Sequence, residues 1–130
     1  MDFERWLIQA EADLQAAEAS RNAGHFEWAC FQSQQAAEKA LKSLLYARGR
    51  TSIHTHLLVM LLEEAAKLDP GLAALGPEAR SLDQFYIPTR YPNGLAEPAV
   101  PATFYTAEDA ARCIEFARSI LTASKRRAKP

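Results

Sequence analysis

The chain has 130 residues, of which 48% are hydrophobic and 24% are charged, and its formal net charge is −1. This length suits one domain with its own core, so we expect a single domain over residues 1–130. The balanced charge gives no general indication of binding to nucleic acid or to an acidic polymer. The acidic N-terminus, without a basic segment before an apolar run, predicts a soluble cytoplasmic protein with no signal peptide and no membrane span.

The first half of the chain predicts two helices. Apolar residues recur every three or four positions from 3 to about 21, and Gly24 is suited to a C-cap after them. A second helical pattern runs from about 25 to 47 and ends at the segment 48–50. Its apolar stripe is wider than one neighbouring helix requires, so we expect this second helix to be central.

The second half predicts a third helix that begins near Thr55 as its N-cap and stops at the Asp-Pro-Gly segment 69–71. A shorter helix is expected over 77–86, with its proline in the first turn. Residues 87–103 contain four prolines and predict an ordered or semi-ordered loop, a type of segment that often carries function.

The last helix is predicted to start at Thr106, with Asp109 completing a sequence similar to a capping box. The basic tail at about 124–130 is interpreted as a solvated, frayed helix end. No segment shows the alternation typical of a strand. The sequence therefore predicts an all-α fold, an up-and-down antiparallel bundle of four to five helices.

The residues that commonly bind metals give no pattern of ligands. Cys30 and Cys113 each lie in an apolar helical pattern, which predicts buried free thiols. His54 and His56 supply two nitrogens, but no cysteine or carboxylate cluster has ligand spacing. We expect neither a metal nor a cofactor.

The second predicted helix carries polar residues where a bundle helix would place leucine. Gln34 and Glu38 are four residues apart, as are Gln35 and Lys39, so each pair shares a face. A polar group on a packed face must find a partner. The alternatives are a ligand cleft, a contact across a two-fold axis, or a solvated face. The small residues nearby favour a contact with another helix. Whether that other helix belongs to the same chain or to a second chain stays open.

Two further segments are candidates for a site. His54 and His56 precede a helix N-terminus, where backbone donors favour a phosphate, but they also fit a simple helix-entry motif. Arg90 offers a planar fork for phosphate or carboxylate, and Tyr91 or Tyr86 is suited to stacking on a base. The structural alternative is that Arg90 ties the proline-rich loop to a carboxylate of the second helix such as Glu38. Four other aromatics are interpreted as core or dimer-interface residues: Trp6, Trp28, Phe31 and Phe116.

Four stretches carry a resemblance to a known family. AEADLQAAE at 10–18, CFQSQQAAEKALKSLL at 30–45, HTH at 54–56 and FYIPTRYPN at 85–93 resemble the HEPN domain of bacteria and archaea, in that family's order and spacing. The resemblance implies a bundle of four or five helices that is usually a homodimer. The family is named for proposed nucleotide binding. Its members are often encoded beside a minimal nucleotidyltransferase, many such pairs behave as toxin and antitoxin, and a number are metal-independent ribonucleases.

The ribonuclease branch uses an arginine followed, four to six residues later, by a histidine where two protomers meet. The histidine moves a proton and the arginine stabilises charge on the phosphorane. This chain has that spacing twice, as Arg48 with His54 and Arg50 with His56. Both pairs fall between the second and third helices, whereas nuclease members carry the motif further towards the C-terminus. The chain departs from the nuclease pattern in this respect.

Three hypotheses follow. The first is a module that binds a nucleotide or a nucleotidyltransferase partner; the second is a metal-independent endoribonuclease toxin; the third is a non-catalytic dimeric scaffold. The catalytic candidates of the second hypothesis are the two arginine–histidine pairs. The ligand-binding candidates of the first hypothesis are Gln34, Glu38, Lys39, His54, His56, Tyr86, Arg90 and Tyr91.

Overall fold

The computed structural model describes residues 2–129, and within that range it contains helices, turns and loops but no strand. Met1 and Pro130, the ends of the predicted domain, lie outside the described residues. The predicted all-α bundle is confirmed. Its helices are α1 (Asp2–Asn22), α2 (Phe26–Ala47), α3 (Leu58–Leu68), α4 (Gly76–Asp83), α5 (Pro101–Phe104) and α6 (Ala107–Arg127), with 3₁₀ turns at Pro70–Leu75 and Pro92–Gly94.

The second helix lies at the centre of the bundle, as its wide apolar stripe predicted. It packs most extensively against α1 and α6, and it also contacts α3, α4 and α5. Leu41, Leu44 and Leu45 are fully buried, and the buried alanines earlier in the helix, Ala36, Ala37 and Ala40, leave room for neighbouring helices to approach. None of the helices in residues 2–129 is long and apolar enough to cross a membrane.

Several helix ends follow from local sequence. Gly24 and Gly49 have φ angles of +82° and +84°, the left-handed conformation that glycine adopts without steric cost after a helix. At the start of α6, Asp109 N donates to Thr106 Oγ1 at 3.1 Å and Thr106 N donates to Asp109 Oδ2 at 3.0 Å. The predicted capping box is therefore confirmed.

The predicted start of α3 is wrong. The helix begins at Leu58. Thr55 Oγ1 accepts from Leu57 N at 3.2 Å and donates to Met60 Sδ at 3.6 Å, so it caps no amide of the helix. The cap comes instead from Asp83, whose two carboxylate oxygens accept from Leu58 N at 2.8 Å and from Val59 N at 3.0 Å. A carboxylate satisfies two free amides and opposes the positive end of the helix dipole, which one hydroxyl does less well. Asp83 is the last residue of α4, so this helix ends three residues before the predicted end at residue 86.

The basic tail is helical through Arg127, although the sequence indicated fraying from about 124. Arg127 Nε donates to Asp69 Oδ2, and Ala128 is buried beside Phe3 and Ala47. These contacts hold the end of α6 against the start of α1, the end of α2 and the end of α3. The guanidinium of Arg127 also keeps the pKa of Asp69 below its ordinary value.

The two cysteines are buried free thiols, as predicted. They are close enough to interact, and contact with Cys30 together with burial raises the pKa of the Cys113 thiol. Because the thiolate is the reactive form, this environment makes Cys113 unreactive.

Candidate functional site

A group of polar and aromatic side chains lies where α2 meets the segments 54–58 and 83–91. On α2 its members recur every three or four residues and therefore share one face of the helix. We call this group the polar–aromatic cluster. Its members are Phe31, Gln34, Glu38, Lys42, His56, Asp83, Tyr86, Arg90 and Tyr91.

Gln34 joins the three segments. It is fully buried, and its Nε2 donates to the backbone oxygen of His56 at 3.0 Å and lies 3.5 Å from Asp83 Oδ1. Its own Oε1 accepts from Gln35 Nε2 at 2.8 Å. Buried polar groups are almost always paired, and these partners all come from the same chain. Gln34 therefore fixes the backbone of His56 against α2.

Glu38 forms the centre of a charged chain of contacts. Its Oε2 accepts from Lys42 Nζ at 2.8 Å and lies 2.9 Å from His56 Nδ1, while Gln35 Nε2 donates to Oε1 at 3.3 Å. Glu38 and Lys42 are each only 4% exposed, whereas the His56 side chain is 56% exposed. A buried ion pair is tolerated when each charge has such partners. The imidazole thus rests on a fixed carboxylate while much of its ring faces solvent.

Lys42 also connects the cluster to α1. Its ammonium lies 5.6 Å from the centre of the Trp6 ring, and that ring packs on Tyr46 with centroids 5.4 Å apart. The predicted ligand residue Lys39 has a different environment. It forms an ion pair with Asp13 of α1. It also lines an open groove of about 380 Å³ with Asp2, Arg5, Trp6 and Gln9.

The Arg90 guanidinium lies among three aromatic rings. Its Cζ is 4.5 Å from the ring centre of Phe31, 4.7 Å from that of Tyr86 and 5.1 Å from that of Tyr91. Its Nε donates to the backbone oxygen of Tyr86 at 2.9 Å. Within residues 2–129 its terminal amino groups make no hydrogen bond or ion pair. The alternative in which Arg90 pairs with Glu38 is wrong, because Lys42 and His56 occupy that carboxylate.

Tyr86 lies between Arg90 and His56. Its ring is stacked on the His56 imidazole with centroids 6.0 Å apart and an interplanar angle of 20°, and its centroid is 6.3 Å from that of Phe31. Trp28 extends the row, 6.2 Å from Phe31. Phe31 is therefore not simply a core residue, because one face of its ring supports Arg90. Tyr91 and Trp28 are about half-exposed at 51% and 48%.

The remaining predicted site residues lie outside the cluster. His54 is exposed, and Arg48 is the exposed C-cap residue of α2. Arg50 Nη1 donates to Glu64 Oε2 at 2.7 Å, and hydrogen bonds from Lys67 and then Arg50 lower the pKa of Glu64. No contact among residues 2–129 joins either arginine to a histidine. The same range contains no group of three or more His, Cys, Asp or Glu residues that could hold a metal ion.

Three members of the cluster were not predicted as site residues: Phe31, which was interpreted as a core or dimer-interface aromatic, Lys42 and Asp83. Lys42 lies four residues after Glu38, a spacing that indicates an ion pair on a helix. It lies between leucines, however, and this part of the helix was interpreted as an apolar stripe. Asp83 gives no local signal, because its partners Leu58 and Val59 lie about 25 residues earlier.

The fold and the cluster together define a helical-bundle protein with a polar, aromatic-lined candidate site. The HEPN domain matches residues 3–127, and the chain belongs to this family. The solved structure of TT1696 from Thermus thermophilus is 36% identical with a TM-score of 0.90, covering 96% of this chain and 97% of that one. The structure of ST0689, an archaeal HEPN homologue, is 39% identical with a TM-score of 0.80, covering 98% of both chains.

Two curated proteins are also similar. One, from Methanocaldococcus jannaschii, bears the name "Putative toxin MJ1304" and is 30% identical over 127 residues, which are 92% of this chain and 84% of that protein. Human sacsin is 31% identical over 126 residues, which are 93% of this chain. This chain corresponds to only 3% of the length of sacsin.

Proposed function

We propose that this protein is a binding module that holds a nucleotide at the polar–aromatic cluster. One observation carries the proposal: the Arg90 guanidinium lies on three aromatic rings, and its terminal amino groups have no partner among residues 2–129. A planar guanidinium presented in this way matches the oxygens of a phosphate. The half-exposed ring of Tyr91 beside it is suited to stacking on a base.

The energetics of Arg90 support the same proposal. A partly buried charge without a full set of hydrogen bonds costs free energy. The rings of Phe31, Tyr86 and Tyr91 offset part of this cost through their negative faces. A bound phosphate would supply the missing acceptors without displacing any bond that Arg90 already makes.

Nucleotide titration followed by thermal unfolding tests the proposal. A ligand that binds only the folded state at about 100 times its Kd adds roughly 2.7 kcal/mol to the free energy of unfolding, so adenosine or guanosine nucleotides should raise Tm. Arg90→Ala should remove the shift and Arg90→Lys should weaken it, because lysine keeps the charge but loses the fork. Arg112→Ala is the matched control, since Arg112 is exposed and pairs with Asp109 within its own helix. A full shift in Arg90→Ala, or no shift with any nucleotide, would overturn the proposal.

A second candidate is a metal-independent endoribonuclease, and the Glu38–His56 contact favours it. A carboxylate that holds one imidazole nitrogen leaves the other free to move a proton, and Arg90 would stabilise charge on a phosphate. The test is RNA cleavage in the presence of EDTA. His56→Ala should abolish cleavage, whereas His54→Ala, which changes an exposed histidine outside the cluster, should not. RNA left intact by the wild type removes this candidate.

We propose further that the protein acts in a toxin–antitoxin-like pair with a nucleotidyltransferase, and as a homodimer. The relative that bears the name "Putative toxin MJ1304" supports the toxin role. The exposed apolar side chains of Trp28, Ile87 and Phe104 support the homodimer. Expression of this protein should slow the growth of the host cells, and co-expression of the nucleotidyltransferase partner should restore growth. For the homodimer, sedimentation equilibrium should give twice the mass of one chain. A dimer that neither binds nucleotide nor cuts RNA would be a scaffold.

A further inference from the structure

In His56, the contact that Nδ1 makes determines whether Nε2 donates or accepts a hydrogen bond. Nδ1 lies 2.9 Å from Glu38 Oε2, which also accepts from Lys42 Nζ at 2.8 Å. An ionised carboxylate only accepts hydrogen bonds, so Nδ1 must carry the proton. In the neutral ring Nε2 then carries a lone pair. The neutral form of His56 therefore offers an acceptor at Nε2, not a donor, on a side chain that is 56% exposed.

Lys42 completes this arrangement. With 4% of its surface exposed, it supplies the counter-charge that Glu38 needs in a buried position. Its ammonium is held in place by Glu38 on one side and by the Trp6 ring on the other. Meanwhile Gln34 holds the His56 backbone at 3.0 Å, so both the position and the tautomer of the imidazole are set from α2.

We propose that Glu38 and Lys42 are positioning residues that hold His56 in the Nδ1–H tautomer, so that Nε2 accepts a hydrogen bond from a ribose hydroxyl. This inference rests on the proposed nucleotide binding and places the phosphate on Arg90. Tyr86 lies against both groups, 6.0 Å from the imidazole and 4.7 Å from the guanidinium. Both groups therefore border one ring, and we infer that one nucleotide reaches both. The site then selects ribonucleotides over their deoxy counterparts, because an acceptor without a donor loses its bond.

The tautomer is tested on the ligand-free full chain by long-range nitrogen–proton NMR at about pH 8, where an ordinary imidazole is neutral. His56 should show a protonated Nδ1 and an unprotonated Nε2, whereas exposed His54, which has no carboxylate contact, should show a mixture. Glu38→Ala should give His56 a mixture like that of His54, because Nδ1 then loses its acceptor. Wild-type His56 with a protonated Nε2 would overturn the proposal.

Ribose selection is tested by calorimetry with adenosine and guanosine 5′-monophosphates and their 2′-deoxy and 3′-deoxy counterparts. One neutral hydrogen bond is worth about 0.5–1.5 kcal/mol, so one deoxy analogue should bind roughly 2- to 12-fold more weakly. Glu38→Ala and Lys42→Met should abolish this preference, and Lys42→Arg should retain it. Equal affinity for all analogues in the wild type would overturn ribose selection. If no nucleotide binds, the proposed function and ribose selection both fail, while the NMR result still decides the positioning role.

Discussion

The cap that Asp83 places on α3 should be among the largest single-residue contributions to stability outside the core. Replacing it with alanine leaves Leu58 N and Val59 N without their acceptors and removes a partner of Gln34. Loss of an N-cap costs about 0.5–2 kcal/mol, and hydrogen bonds to a charged group are worth about 1.5–3 kcal/mol. Because two amides at a partly buried position are affected, we expect Asp83→Ala to lower the free energy of unfolding by about 2–3 kcal/mol.

Urea unfolding followed by circular dichroism measures this loss, and Tm should fall by roughly 10 °C. Thr55→Ala is the control, because the Thr55 hydroxyl makes only exposed local bonds, to Leu57 N and Met60 Sδ, and its loss should cost no more than about 0.5 kcal/mol. Asp83→Asn should fall between the two, since an amide keeps one acceptor but loses the charge that opposes the helix dipole. If Asp83→Ala and Thr55→Ala cost the same, the long-range cap does not hold α3 in place.

Three further predictions concern other parts of the bundle. Burial alone would raise the pKa of Asp109, but hydrogen bonds from Thr106 and Arg112 outweigh it and lower this pKa. The stability that Asp109 adds should therefore be present above about pH 4 and be lost as pH falls further, so Asp109→Asn and wild type should converge in acid urea titrations. Burial raises the pKa of Tyr105 to about 12, so ultraviolet titration should show one late phenol that Tyr105→Phe removes; the associated stability should hold below about pH 10 and decline as pH rises towards 12. Leu41→Ala should lower the free energy of unfolding by about 2–5 kcal/mol in urea, because Leu41 is fully buried, and a loss below 1 kcal/mol would mean that its site collapses readily.

The local sequence was sufficient to predict a helix end wherever the capping residue and the group that it caps lie within one turn of each other. The capping box of Thr106 and Asp109, three residues apart, could be predicted, as could the end of α1 at Gly24 and the end of α2 at the segment 48–50. The start of α3 could not, because its cap is supplied by Asp83 from another helix. The nearer hydroxyl of Thr55 was the better local candidate, and tertiary packing placed a carboxylate where the hydroxyl was expected.

The candidate site shows the same limit. The polar face of α2 and the Arg90 segment could be recognised as unusual from residue types alone. Their connections could not, since Arg90 had two plausible partners, a carboxylate or a ligand, and only the contacts of Glu38 with Lys42 and His56 separate them. Lys39 and Lys42 are both lysines on the same helix. Their roles diverge because Lys39 reaches Asp13 of α1, whereas Lys42 points into the bundle beside Glu38.

The ammonium of Lys42 over Trp6 gives the protein an optical reporter of its own candidate site. Indole emission responds to the electric field of nearby charges, and this ring lies 5.6 Å from a cation whose counter-charge also contacts His56. Any event that changes the charge balance between Glu38 and His56 should therefore alter the fluorescence of a residue that belongs to α1. In a Trp28→Phe variant, Trp6 would be the only tryptophan in the sequence. Its emission would then follow the state of the imidazole in solution, without any added label.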